Sequence, residues 1–394
     1  MRIAISGAGV AGPTLAWWLL RAGHQPTLIE AAPVLRTGGY VIDFWGVGYT
    51  VAERMGLLPA IHDAGYRVQA ARFLDARGRE AGAFPIKRLE RVIGNRFVSL
   101  PRGELAALIH ASIDGRVETL FGTTISSIEQ ADDHVRVGLS NGDVRTFDFV
   151  VGADGLHSTV RTLTFGPIER FERRLGYRVA AFDAPGYRPR EELAYVTHSE
   201  AGRMIARFAL RGDRTAILLV FTSDRLTGSI PRELADRKAA IERAFADMRW
   251  EWPSIAAALD VAEEVYLDDL SQIVMDRWSS GRVCMIGDAA ACVSLLAGEG
   301  TGLAMTEAYV LAGELERARG DPVAASKAYE ARLRAFIERK QQSARNFAGY
   351  FAPRTSLGVW LRNASTHLMG IPFLADAMIL GDIRDDFELP DYES

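Results

Sequence analysis

Three apolar runs break abruptly into glycine, and between them the hydrophobic period changes from helical to alternating. Residues 2–6, RIAIS, predict a short buried strand; Leu15, Trp18, Leu19 and Ala22 then recur at helical spacing until Gly23. QPTLIE, residues 25–30, reads as a second strand. A comparable break follows in FDFVVGADG, where an apolar run gives way to a turn at Gly152–Gly155. In GRVCMIGDAA a strand over 282–286 meets Gly287 and Asp288, before a small-residue loop and a long helix.

Elsewhere the chain alternates. RVQAARFLDARGREAGAF and HVRVGLSNGDVRTFDFVV carry the turn signals ARG and NGD, which predicts two hairpins. Between about residues 170 and 275, RVAAFDA, EELAYVTH, GRMIARFAL and TAILLVFTS follow one another without intervening helices, which predicts an antiparallel sheet. ELADRKAAIERAFADM reads as an amphipathic helix, and the tryptophans of RWEWPSI as packing residues. From Asp321 a long helix puts Tyr329, Leu333, Phe336 and Ile337 on one face, with GIPFLADAMIL, residues 370–380, expected to pack near it.

The expected fold class is α/β. A discontinuous Rossmann-like dinucleotide domain takes residues 1–70, 95–168 and 276–325, and an antiparallel substrate sheet takes 71–94 and 169–275. A C-terminal helical region, 326–394, bridges the two.

Gly7, Gly9 and Gly12 form G-x-G-x-x-G directly after the first strand. Gly7 allows the tight turn, Gly9 lets a pyrophosphate approach backbone, and Gly12 lets helix and strand pack closely. The phosphate charge then meets the free N–H groups of the helix start. Glu30, 18 residues beyond Gly12, is placed to accept hydrogen bonds from a ribose, which favours FAD or NAD over NADP at this site.

Composition narrows the function classes. A formal charge of −4 with scattered basic residues lacks the footprint of a nucleic-acid binder. Two cysteines, Cys284 and Cys292, exclude a disulfide framework and a four-cysteine metal site. No apolar run approaches the roughly 20 residues of a membrane span, so a cytoplasmic protein is expected. Seven dispersed histidines and the lack of a recognisable nucleophile set leave the chemistry to a cofactor.

The order G-x-G-x-x-G, then ADGLHSTVR, then GDAA resembles the class A single-component FAD-dependent monooxygenases of the para-hydroxybenzoate hydroxylase type, over nearly the whole chain. RTGGYVIDF, residues 36–44, is most similar to the tetracycline-inactivating and other antibiotic-modifying hydroxylases. The resemblance implies bound FAD, transient NADPH or NADH, and O2 as co-substrate. The oxygen would reach an aromatic or polyketide-like molecule through a flavin C4a-hydroperoxide. It also implies that Arg36 contacts nicotinamide nucleotide or flavin, that Asp43 lies near the flavin, and that Arg102 meets FAD from a helix start. Asp154 and Gly155 would serve both dinucleotides, and Gly287 and Asp288 the ribityl or pyrophosphate region. Gly298, Gly300, Thr301 and Gly302 would approach the flavin as backbone.

The chain departs from the family where His-Pro normally follows Gly-Asp-Ala-Ala: Ala291, Cys292 and Leu295 stand in that region, making the loop 293–297 more apolar. Asp154 and Asp288 can alternatively cap the helices that follow them. Substrate candidates are Leu295 and, at alternating strand positions, Met204, Ala206, Phe208 and Phe221, with core packing against a helix as the alternative for each; Arg203 and Arg207 can reach a polar substrate but are expected on a solvated strand face. The expected partner is an aromatic or polycyclic small molecule, and the expected state a monomer or weak dimer. The alternatives are an oxidoreductase of this fold that inserts no oxygen, and a non-catalytic flavin-containing protein that binds a metabolite.

Overall fold

Continuous apolar strands need cover on both faces, and the run Arg2–Ser6 lies at the centre of a sheet that provides it. The structure is a computed structural model that describes residues 1–35, 40–84, 86, 96–295, 298–368 and 387–392. Six strands stand in the order 279–280, 283–285, 149–152, 2–6, 25–29, 118–120, all parallel except the first. Ile5 sits between Val151 and Leu28, and all three are buried. The three glycine-terminated runs of the sequence are therefore adjacent strands, and their C-terminal ends share one edge.

A second sheet of seven strands runs 266–273, 172–185, 214–222, 203–210, 194–200, 70–74, 80–84. Its pairings are antiparallel except for 194–200 with 70–74. One face is covered by helices Leu234–Phe245 and Trp252–Val261, where Phe221, Ile217, Leu219 and Ile205 form a core with Phe245 and Trp252. Trp252 stacks on Phe245 at 5.1 Å, so the tryptophan pair of RWEWPSI supplies a packing ring. The other face, with Tyr177, Val179, Met204 and Val220, meets Leu295 and Ala352.

Helix Gly300–Arg317 packs on the first helix, Ala11–Arg21, and on helix Pro322–Phe351. Asp321 caps the latter by accepting from the N–H groups of Val323 and Ala324 at 2.9 and 3.1 Å. Tyr329, Leu333, Phe336 and Ile337 are buried along it, on the face its periodicity predicts. Residues 370–380 lie outside the described residues. Among the described residues no helix is long and apolar enough to cross a membrane.

Candidate cofactor and active site

The glycine loop is built by steric need. Gly7 has φ +104°, and a Cβ there would stand 2.4 Å from the Ala153 carbonyl oxygen. At Gly12 a Cβ would come within 2.0 Å of the Gly7 carbonyl oxygen, so helix and strand close only over a bare Cα. Gly9 is different: a Cβ would meet one atom within 4 Å, Nη2 of Arg102 at 3.8 Å. The space in front of Gly9 is open. Helix Ala11–Arg21 starts there with no side-chain cap and no acid in its first turn, leaving its first N–H groups to a ligand. Glu30 braces the loop, accepting from the N–H groups of Ala8 at 2.7 Å and Ala32 at 2.8 Å.

The other two glycine breaks meet this loop. Both Asp154 oxygens hold its own turn, accepting from the Ser158 hydroxyl and from the N–H groups of Thr159 and Val160. The capping role is thus observed, and Gly155, not the carboxylate, reaches the cleft wall. Arg161 is buried and ties the two motifs together, donating to the carbonyls of Leu156 and Ala289. Gly287 has φ +61° and donates its N–H to the buried Glu307 at 2.6 Å. Tyr329 donates to the same carboxylate oxygen at 2.8 Å. Burial pushes the Glu307 carboxyl up to about 7, against the pull of these two bonds.

Between these motifs and the second sheet lies an open cleft whose walls come from both. Gly9, Arg102, Gly155, Asp288, Gly298, Gly300 and Thr301 all line it, as does Leu295. Arg102 is set there by the strand pair Val41–Phe44 and Val98–Pro101, and its backbone N–H bonds the Tyr40 carbonyl at 3.1 Å. Burial works against the Arg102 charge, but the surrounding groups, Tyr40, Asp288, Tyr266 and Cys292, together raise its pKa on balance. Burial also pushes the Tyr40 phenol up to about 12. Helix Gly300–Arg317, like the first helix, starts at the cleft without a side-chain cap or a first-turn acid.

Asp43 and Gly302 line a small adjoining hollow that shares Gly298 with the cleft. Asp43 accepts from the hydroxyls of Ser99 at 2.5 Å and Tyr195 at 2.9 Å, and burial raises its pKa above the ordinary carboxylate value. Tyr195 belongs to the second sheet, so this carboxylate joins the two sides of the site. Gly302 faces Gly48 across a close helix contact, where a Cβ on Gly48 would lie 2.3 Å from the Gly302 Cα. Arg36 lies outside the described residues.

The strand candidates divide. Met204 and Ala206 pack with Leu295 on the face toward the cleft, while Phe208 is enclosed by Tyr66 and Tyr195 at ring distances of 5.3 and 4.8 Å. Phe221 does not share their face: it pairs with Arg203 in the hairpin register, is 0% exposed, and packs edge-on against Phe245 under the helices. It is a core residue. Arg203 and Arg207 also point to the helix side and are 2% and 3% exposed, not solvated. Arg203 pairs with Glu200 and Asp247, and Arg207 with Glu251 and Glu191.

The sequence reading missed several cleft residues: Tyr40, Val179, Tyr266, Asp269, Leu270 and Ser294. Tyr40 follows the Gly-Gly pair and was within reach of that motif, whereas the others depend on long-range pairing.

Two helix starts without side-chain caps, an open backbone at Gly9, a protonated Arg102 and the Asp288 carboxylate fit an elongated ligand with a pyrophosphate between two hydroxyl-bearing segments, as in FAD. Comparison with known proteins agrees. The family described as the FAD binding domain matches residues 1–343. An uncharacterised protein of Mycobacterium tuberculosis is 37% identical over 349 residues, covering 86% of this chain and 91% of its own. A flavin-dependent monooxygenase of Legionella longbeachae is 32% identical over 353 residues, 87% of each chain. The crystal structure of tetracycline destructase Tet(51) aligns with a TM-score of 0.84 and 28% identity over 99% of both chains. The chain belongs to the FAD binding domain family, and within it to the FAD-dependent monooxygenases.

Proposed function

We propose that this monooxygenase takes reducing equivalents from NADPH or NADH and places one oxygen atom of O2 on an aromatic or polyketide-like small molecule. The observation that carries the assignment of roles is the convergence of Gly9, Arg102 and Asp288 on one cleft. Bound FAD supplies the redox and oxygen-activating chemistry. Gly9 and the N–H groups of helix Ala11–Arg21 hold the pyrophosphate, and Glu30 adds a ribose contact to its two backbone bonds. Arg102 and Asp288 fix the linker, and the backbone of Gly298, Gly300 and Thr301 lies against the ring half. Asp43 and Gly302 sit beside it, and Arg36 serves the nicotinamide nucleotide.

The cofactor domain is drawn from 1–70, 95–168 and 276–325, and the substrate domain from 71–94 and 169–275, so the cleft falls between them. The apolar face carrying Met204, Ala206, Val179 and Leu295 closes its end and excludes water. A relative whose structure is that of a tetracycline destructase supports a fused-ring substrate. The proposed use of NADPH or NADH supports a cytoplasmic location.

The test is oxidation of NADPH and of NADH by the purified protein under air with phenols, quinolones, anthraquinones and tetracyclines, with product mass read in the same wells. A compound that speeds oxidation and gains one oxygen names the substrate class. Flavin reduction with no oxygen gained across the panel removes the proposed substrate class. No reduction by either nucleotide points to a metabolite-binding protein.

A further inference from the structure

Ser294 stands in the loop between Asp288 and Gly298, and the fold makes no use of its hydroxyl. The residue is 3% exposed with φ +133°, a backbone conformation that favours glycine. Its Oγ has no hydrogen-bond partner among the described residues, although buried hydroxyls are ordinarily paired. Strained, unsatisfied side chains persist where the surroundings over-determine them, and such positions cluster at ligand sites.

The surroundings here do so. The Gln272 side-chain amide donates to the Val293 carbonyl at 2.7 Å, and the Gln341 amide donates to the Cys292 carbonyl at 3.1 Å. The Cys292 carbonyl also accepts from the Ile273 N–H at 3.2 Å. Gln272 in turn bonds the Gln341 carbonyl at 2.8 Å and accepts from Arg345 at 3.0 Å. The two peptide carbonyls preceding Ser294 are therefore clamped by buried amides. Ser294 lines the cleft together with Asp288 and Leu295, at the part roofed by Val179 and Leu270.

We propose that Ser294 is a hydrogen-bond contact for the ring half of bound FAD, an inference that rests on the cofactor assignment above. With the pyrophosphate at Gly9, the ring system falls to the side of the cleft where Ser294 and Leu295 lie. A hydroxyl can turn to donate to a ring carbonyl or nitrogen, or to accept from a ring N–H, and the flavin edge offers all three. The clamp makes this contact available without reorganisation on binding.

The test removes FAD from the holoprotein and titrates the apoprotein with FAD and, separately, with ADP. For Ser294→Ala, FAD should bind about three- to tenfold more weakly, with a displaced visible absorption band, while ADP affinity stays unchanged. Ser294→Gly should lose FAD affinity by a similar factor although its apoprotein melts at a higher temperature, since glycine relieves the positive φ. A purely structural role would move stability and affinity in the same direction. Wild-type FAD affinity and spectrum in Ser294→Ala overturn the proposal, as does an equal weakening of FAD and ADP, which would report loop collapse. A wild-type apoprotein that fails to take up FAD is a separate result and removes the cofactor assignment itself.

Discussion

Two glycines three positions apart make opposite predictions. Gly9→Val adds methyls where, among the described residues, a Cβ meets just the end of the Arg102 side chain, so the fold should stand while the pyrophosphate is excluded. Its circular dichroism and melting should match wild-type apoprotein, and its FAD affinity should fall by roughly a hundredfold or more, about 2.7 kcal/mol. Gly12→Val pushes atoms into the Gly7 carbonyl and should give insoluble or unfolded protein. A yellow, fully loaded Gly9→Val preparation would remove the phosphate from this loop. Phe221→Ala argues the other way: the ring is buried against Phe245 beneath the helices, so its loss should cost about 3–5 kcal/mol in urea unfolding and leave the substrate KM unchanged. The steric roles of Gly7 and Gly12 were legible in the sequence because the motif's spacing after a strand already demands a positive φ at the first and a bare Cα at the second. The face of Phe221 was not. Alternation fixes faces within a strand, but the phase between partners depends on the turn, and here Leu210 pairs with Arg214, which sets Met204 opposite Val220 and Arg203 opposite Phe221. Ser294 was hidden for a related reason, since its burial is imposed by Gln272 and Gln341, which are distant in sequence.

At the scale of elements, the start of the long helix and the Gly287–Asp288 turn are held as one piece by a titratable group. Glu307, one of the buried residues of helix Gly300–Arg317, accepts from Gly287 and from Tyr329 of the next helix. Its carboxyl is raised from 4.5 to about 7, chiefly by burial, with Asp288 adding to the rise. The folded state therefore takes up the proton more readily than the unfolded one. The stability contributed by that protonation is present in full below about pH 4.5 and is lost as pH rises through about 7, a change of about 3 kcal/mol. Glu307→Gln keeps an oxygen acceptor and removes the ionisation. Relative to wild type it should gain stability between pH 5 and pH 8, read from urea midpoints at the two values. A constant difference across that range would mean that Glu307 titrates as in the unfolded chain and is already ionised at pH 5. The helices themselves were legible from periodicity, the long one from Asp321 onward. The Gly287–Glu307–Tyr329 link was not, because it joins three elements through side chains whose approach only the packed fold defines.

At the scale of the whole molecule, the cleft is assembled from segments far apart in sequence, and residues 387–392 help to fasten the helices behind it. Phe387 stacks on Phe336 at 5.0 Å, and the Pro390 carbonyl accepts from Arg54 at 2.9 Å and Tyr309 at 2.8 Å. Tyr392 lies over Gly313, where a Cβ would come within 2.2 Å of its ring, and bonds Glu314 at 2.6 Å. The tail thus bridges helix Pro322–Phe351 to helix Gly300–Arg317, and on the latter it reaches positions 309–317, remote from the cleft residues 300–304. Stability and cofactor affinity should separate accordingly. Deleting residues 387–394 removes two half-buried rings, each contributing roughly half of a fully buried Phe→Ala loss, so the apoprotein should lose about 3–5 kcal/mol. FAD at one concentration, a hundredfold over the full-length chain's Kd, should add about 2.7 kcal/mol to the truncated and the full-length chain alike, because at fixed concentration the increment depends on affinity alone. Equal increments would confine the tail to fastening the helices. A smaller increment in the truncated chain would show that the clasp reaches through helix Gly300–Arg317 to the cleft at its N-terminus, and that cofactor affinity is a property of the whole helical layer.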